Sequence, residues 1–470
     1  MLGAFQPPGR PVSKPETTTD LQHLVRLFSA SLNALGVAPS GAQLEQWSIL
    51  VHASMSGGER DYHGIQHAFD VAEGTGPLET LAGLFHDTVH VQPDGYLSKQ
   101  HELFFADVID KRGDRFGLRR YDPAHDHHRA MVEAVFGLAP GAVLAPKQGL
   151  SEFLSALLAV RCLEGSLPDD LLFQIAAAIE LTIPFRARDP GGRTPAEALF
   201  RRLSDINGRF ALKTTSADLE LAVHQAVTVA NRDVAGFAFD DTGRFLDYTW
   251  QLLPELVMAL RSRTTYTLGE YRTGLSGMAA FFSRLAPETV FCQFRGKPSD
   301  DVMADLTGRA AANIGRAHRY LQAKLAASTL LYAIALRTGG DAPAALFMGD
   351  LPSPGRRSMR LEDFLPAAVP QGANADATVY ALLAEGRQNE SAFDIRNSPL
   401  AAYLYARLGQ QEIERLAASE VDPMGGTSAA RTLSLLPADV LDDVLAACAR
   451  MAVTRTRELN ALTARSTGAR

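Results

Sequence analysis

Tyr62-His63-Gly64-Ile65-Gln66-His67-Ala68-Phe69-Asp70-Val71-Ala72-Glu73, then a Gly/Pro break, then Leu84-Phe85-His86-Asp87-Thr88-Val89-His90, is the stretch that decides how this chain reads. Four of the twelve histidines fall within it. His63 and His67 are four apart, as are His86 and His90, so on helices each pair shares a face. Ile65, Phe69 and Ala72 recur at helical spacing roughly opposite His63, His67 and Asp70. One face can pack while the other presents imidazoles. In the second segment Leu81, Leu84 and Phe85 form an apolar side. That side ends in His86-Asp87, where a neutral imidazole and a carboxylate can reach one metal together. A lone His-Asp dipeptide occurs by chance and also suits a capped helix end. The combination with Tyr-His-x-x-x-His and with a further His90 is what points to a metal site.

Working outward, such a site needs another acidic ligand. Asp205, Asp218, Asp233, Asp240, Asp241 and Asp247 are the downstream candidates. Leu219 to Phe239 reads as a long helix with an apolar stripe of Val223, Ala226, Val227, Ala230, Val234 and Phe237, and Asp233 lies on that stripe. A carboxylate on a buried face is costly unless it is paired or holds a cation. The competing partner is an arginine, Arg232 or Arg244. Lys111 to Asp126 reads as a charged loop, and it runs into His125-Asp126-His127-His128. These histidines suit either a metal or a solvated helix start. Arg186 and Arg188 follow the helix-ending Pro184, and arginine forks suit phosphate oxygens as well as an ordinary surface loop.

These motifs resemble the HD superfamily of metal-dependent phosphohydrolases. YHGIQHAFDVAE followed by FHDTVH is most similar, within it, to the catalytic core of the cyclic nucleotide phosphodiesterases. The resemblance implies that His63 is the general acid and that His67, His86 and Asp87 are metal ligands. Ala230-Asn231-Arg232-Asp233-Val234 resembles the family's last metal aspartate, which makes Asp233 the fourth ligand. His90, His127 and His128 are then expected around a second metal or behind the ligands, and Arg186 and Arg188 at phosphate. The family's purine clamp has no counterpart: Gly277-Met278-Ala279-Ala280-Phe281-Phe282 holds no glutamine, and Gln293 is displaced.

Helical periodicity recurs to about residue 335, and strand-like alternation is nearly absent, so the expected class is all-α: an HD-like multi-helix catalytic bundle with a helical C-terminal region. The expected division is a Pro-rich disordered tail over 1–18, the catalytic domain over 19–335, a Gly/Pro-rich linker over 336–375 and a helical accessory or oligomerisation region over 376–470. The 470 residues carry a formal charge of −7, which gives no bulk argument for nucleic acid. No run of eighteen uncharged apolar residues marks a membrane span. Three widely spaced cysteines suit a reducing compartment, so the cytoplasm is the expected location.

The function expected from these readings is a phosphodiesterase-like hydrolase of a small phosphorylated substrate, a nucleotide by resemblance. It would use divalent zinc, magnesium or manganese, with iron as an option, to activate water while His63 protonates the leaving oxygen. An HD-type diiron oxygenase, drawing on His127 and His128, and a regulatory module with an inactive site are the competing expectations.

Overall fold

The computed structural model describes residues 18–467, except 58–59, 93–95, 263–264, 352–357, 368–375 and 423–425. The Pro-rich tail, apart from Thr18, and much of the linker lie outside these residues. The described chain is all-α apart from one small sheet, and among the described residues no helix is long and apolar enough to cross a membrane.

The chain divides into two compact units. Unit 1 runs to Ala238 and includes Ala286–Ala310; unit 2 is made of Phe239–Leu285 and the chain from Ala311 on. The range 19–335, read from the sequence as one domain, is therefore shared between the two.

In unit 1 the helices are α1 (Asp20–Ala34), α2 (Gly41–Met55), α3 (Ile65–Ala72), α4 (Pro77–Phe85), α5 (Lys99–Phe104), α6 (His127–Val135), α7 (Ser151–Leu163), α8 (Asp169–Leu181), α9 (Pro195–Arg209) and α10 (Ser216–Asp233). Their starts are written locally. Thr19 with Gln22, Ser40 with Gln43, Thr194 with Glu197 and Thr215 with Asp218 form reciprocal capping boxes. That last box absorbs Asp218. The middles of α7 and α8 are buried nearly all round, as expected of central helices in a bundle. On α1, Leu24, Phe28 and Leu32 are buried four residues apart, and the Phe28 ring meets Trp47 at 6.1 Å and Phe85 at 5.5 Å.

The helix expected over Leu219–Phe239 ends at Asp233 and is followed by a short 3-10 turn over Ala235–Ala238. The charged loop expected from Lys111 is in its first part a hairpin: β1 (Ile109–Arg112) pairs antiparallel with β2 (Arg115–Leu118), and β2 with β3 (Val143–Leu144). Arg112 faces Arg115 across a two-residue loop that Gly113 enters at φ +68°, the glycine-first arrangement of a tight hairpin.

α3 and α4 pack against each other beside the histidines, and Gly83 lies at their contact. A Cβ on Gly83 would lie 3.1 Å from both Cα and N of Ala72 and 3.2 Å from Val71 Cγ1. Backbone cannot move aside as a flexible side chain does. We expect Gly83→Ala to cost about 1–3 kcal/mol, as for other overpacked contacts, by pushing α3 off α4. Denaturant midpoints of the variant check this; an unchanged midpoint would mean that the pair tolerates a wider spacing.

Unit 2 holds α11 (Thr242–Trp250), α12 (Leu253–Leu256), α13 (Leu268–Arg284), most of the 39-residue α14 (Asp300–Thr338), α15 (Ala344–Met348), α16 (Ala377–Ala384), α17 (Pro399–Ala417), α18 (Gly426–Leu433), α19 (Ala438–Met451) and α20 (Thr456–Thr467). Asn313 ties its first segment to its last by donating Nδ2 to Phe239 O at 2.8 Å, while Thr242 Oγ1 donates to Asn313 Oδ1 at 2.9 Å.

Candidate metal centre

His67, His86, Asp87 and Asp233 come from three separate stretches of unit 1 and converge. His67 stands in the first turn of α3, His86 caps α4, Asp87 follows it in a turn, and Asp233 is the last residue of α10. Their facing atoms lie close together: His67 Nε2 to Asp233 Oδ1 2.9 Å, His67 Nε2 to His86 Nε2 3.3 Å and His86 Nε2 to Asp87 Oδ2 3.3 Å. His86 Nε2 to Asp233 Oδ1 is 3.5 Å and His67 Nε2 to Asp87 Oδ2 3.6 Å. One ion with bonds of about 2.0–2.2 Å holds adjacent donor atoms about 2.8–3.6 Å apart, whether tetrahedral or octahedral. The observed spacings fit that shell, and two imidazoles with two carboxylates suit zinc, manganese or iron. The imidazoles are buried, at 6% and 1% exposure, whereas each carboxylate retains 15%, so the open side of the group is the carboxylate side.

The surroundings hold each ligand in position. His86 Nδ1 donates to Gly83 O at 2.8 Å, which fixes the ring and directs Nε2 into the group. Arg60 donates to Asp87 O at 2.5 Å and to Thr88 O at 3.0 Å, holding the turn that carries Asp87. Arg232, one of the two arginines that competed for Asp233, donates instead to the carbonyls of Val71, Asp70 and Glu73 at 2.8, 2.7 and 2.6 Å. It thereby closes the last turn of α3 and joins α3 to α10. Asn231 makes two bonds with the backbone of Cys292, at 2.8 and 2.7 Å, which anchor the end of α10. A carboxylate at the last position of a helix meets the negative end of the dipole. Asp233 stands there because it faces the two histidines.

The charges are mutually adjusted. Burial opposes ionisation of His86, but the carboxylates of Asp87 and Asp233 outweigh it and hold His86 well above its ordinary value. Burial likewise works against ionised Asp87, yet His86, His63 and His67 bring it well below the usual carboxylate range. Asp233 is lowered in the same way by His67 and His86. An ion taken up there would displace protons, and its binding would strengthen as pH rises.

Around this group the expected residues are partly rearranged. His63 is not on a helix with His67: Gly64 is the N-cap of α3, so His63 lies in the bend before it. Its ring is edge-on to His67 at 6.3 Å and stacks on His90 at 4.8 Å. His90 is likewise past the end of α4 and shares no helical face with His86. His127 and His128 start α6, which Asp126 caps by accepting from Arg129 N. His128 bonds Glu164 at 2.8 Å and Asp169 at 3.0 Å, and His127 bonds Asp169 at 3.2 Å. Neither joins the four-residue group. Arg186 forms an ion pair with the buried Glu180 at 2.7 Å, beside Arg202, and Arg188 donates to Gly192 O at 2.9 Å. Gln293 is bonded to Pro298 O and Asp300.

Sequence reasoning missed Arg60 and also Glu152, which resembles any acidic residue in a helix's first turn. Ser151 beside it accepts from Val91 N at 3.1 Å, and Ser155 accepts from Val89 N at 2.9 Å, so α7 begins against the segment after the His-Asp pair. Burial pushes the Glu152 carboxyl up to about 7; its own backbone N–H opposes this, and the charges of Asp87 and Asp233 add to it. A raised carboxyl contributes stability below its unfolded value, 4.5, and loses it as pH climbs through about 7. In metal-free protein, Glu152→Gln should therefore gain about 1–3 kcal/mol on its parent between pH 5 and pH 8, after allowance for partial solvent screening. Melting temperatures of both proteins across that range, with chelator present, read the difference. A pH-independent gap would place Glu152 away from the carboxylates. No family model matches this chain, and no curated protein or solved structure matches it either.

Proposed function

We propose that unit 1 is a metal-dependent phosphohydrolase of phosphodiesterase type, acting on a small phosphorylated substrate. The observation that carries this reading is the convergence of His67, His86, Asp87 and Asp233 at separations suited to one ion. When bound, a divalent ion there supplies water of lowered pKa and draws charge from a phosphoryl group. Substrate approaches from the carboxylate side, because the imidazoles are walled in by the α3–α4 pair. His63, at the rim, holds the proton that the leaving oxygen needs, and the stacked ring of His90 orients it. Asp87 lies within electrostatic reach of His63. The oxygenase reading drew its extra ligands from His127 and His128, which are engaged by Glu164 and Asp169 elsewhere in unit 1; the hydrolase reading needs neither.

The test is a substrate panel. Protein is stripped, reloaded with zinc, manganese, magnesium or iron, and assayed on nitrophenyl phosphate monoesters and diesters and on cyclic AMP and cyclic GMP. Metal-dependent hydrolysis that favours diesters is the expected result. With no glutamine at the family's purine clamp and Gln293 already bonded, discrimination between the two cyclic nucleotides should be weak. Oxygen-dependent turnover by the iron form, with no phosphate ester cleaved under any metal, would transfer the assignment to an oxygenase.

A further inference from the structure

Unit 2 has no chemistry legible in its sequence, yet it buries a polar centre. Lys324 on α14 is 4% exposed, and its Nζ donates to Asp394 Oδ2 at 2.8 Å and to Ser398 Oγ at 2.7 Å. Arg387, also buried, lies 4.2 Å over the Trp250 ring. Its Nη2 donates to Ile395 O at 3.1 Å and stands 3.7 Å from Asp394 Oδ2. Asp394 is thus shared between two buried cations. The nearest other carboxylate, Asp247, is 3.6 Å from Arg387 Nε and accepts instead from the backbone and side chain of Asn389. Tyr271 Oη, Trp250 Nε1, and Nε and Nη1 of Arg387 are buried without a hydrogen-bond partner among the described residues. Each of these can donate. A buried donor without an acceptor costs about 1–3 kcal/mol, and of these residues Tyr271 lines a cavity where an acceptor can sit.

The acceptor has a place to sit. A cavity of about 40 Å³ is lined by Tyr271, Lys324 and Ser398, by Asp394, by the paired Arg360 and Glu362, and by the apolar Leu331, Met348 and Leu400, among others. Tyr271 is 3% exposed, and its unpartnered hydroxyl belongs to this lining. Lys324 has one N–H left after Asp394 and Ser398. We propose that the cavity binds a small monocarboxylate with a short alkyl tail. Its two oxygens would take the Tyr271 hydroxyl and the free Lys324 N–H, and its tail would take the apolar wall. The volume, room for about three waters at roughly 10–15 Å³ each, limits the ligand to a few heavy atoms. A dianion such as phosphate would be repelled by Asp394, which already occupies Lys324. A neutral amide would give up the charge-assisted bond to Lys324.

The probe is propionate, titrated into the full chain and followed by saturation-transfer NMR and by melting temperature, with propionamide and inorganic phosphate in parallel. We expect saturable propionate binding that raises the melting temperature, with both controls at least about tenfold weaker. Tyr271→Phe should weaken propionate at least about fivefold, the low end for a hydrogen bond to a charged group. This variant removes a hydroxyl that bonds nothing among the described residues, so its fold is kept. Ala327→Leu, which fills the cavity, should abolish binding. No saturable propionate binding, binding unchanged in Tyr271→Phe, or propionamide as tight as propionate would each overturn the proposal and leave waters as the cavity's occupants.

Discussion

Asp87→Ala will lose its metal and its turnover while unit 1 stays folded. Among the described residues, Asp87 is the carboxylate that reaches both imidazoles from the α4 side, at 3.3 Å from His86 and 3.6 Å from His67. Its removal leaves Asp233 as the sole negative ligand. Loss of groups that merely orient ligands weakens metal binding about 10–100-fold, and loss of a charged ligand should cost at least about as much. The fold should survive because Leu81, Leu84 and Phe85 keep their fully buried places. Stability without metal should nevertheless fall near neutral pH. Asp87 has a depressed folded value, so it stabilises above its ordinary 3.8, and that contribution disappears as pH falls through the folded value. The variant lacks it at any pH. Elemental analysis of purified variant and parent decides the matter. Full metal content in Asp87→Ala would remove it from the ligand set.

Three of these four residues were readable because each carried a local contradiction. Asp233 lies on an apolar stripe, and His86-Asp87 closes a helix that is otherwise hydrophobic. Polar groups placed where burial is certain need partners; an arginine stayed open for Asp233, and that the partners are one another, with His67, was what the family resemblance implied. Geometry between segments was less readable. The four-residue intervals His63–His67 and His86–His90 suggested helical faces, but Gly64 starts α3 too late and α4 ends too early. The two outer histidines meet each other by tertiary stacking instead. Arg186 looked free after Pro184, because nothing local shows that Glu180, buried six residues earlier, is its partner. The hairpin was hidden because its strands are short and charged, and because its turn has glycine first rather than last.

Unit 2 shows the limit of reading along the chain. Tyr271, Lys324, Arg387 and Asp394 are spread over more than a hundred positions, and each alone looks like an ordinary residue of an amphipathic helix or loop. Only the packing of residues 239–285 against the chain beyond 311 makes them one centre. A spacing rule finds residues that share an element, whereas a buried network assembled from three separate segments leaves no periodic trace.

His63→Ala should keep its metal and lose about 10²–10⁴-fold of its activity on an alkyl phosphate ester, the usual share of general acid catalysis. His63 stands outside the four-residue group: its ring centroid is 6.3 Å from that of His67, and it lies within electrostatic reach of Asp87. That placement suits the proton donor we propose. An alkoxide leaves poorly without a proton, whereas a nitrophenolate leaves without help. The loss on a nitrophenyl diester should therefore be far smaller, and the quantity to measure is the ratio of the two losses in kcat/KM at constant metal content. His90→Ala, which removes the stacked ring, should reproduce the pattern in weaker form, because it loosens the donor without deleting it. Equal losses on both esters would exclude the acid role of His63. Metal lost from His63→Ala would make it a ligand and would require α3 to be drawn closer when the ion binds.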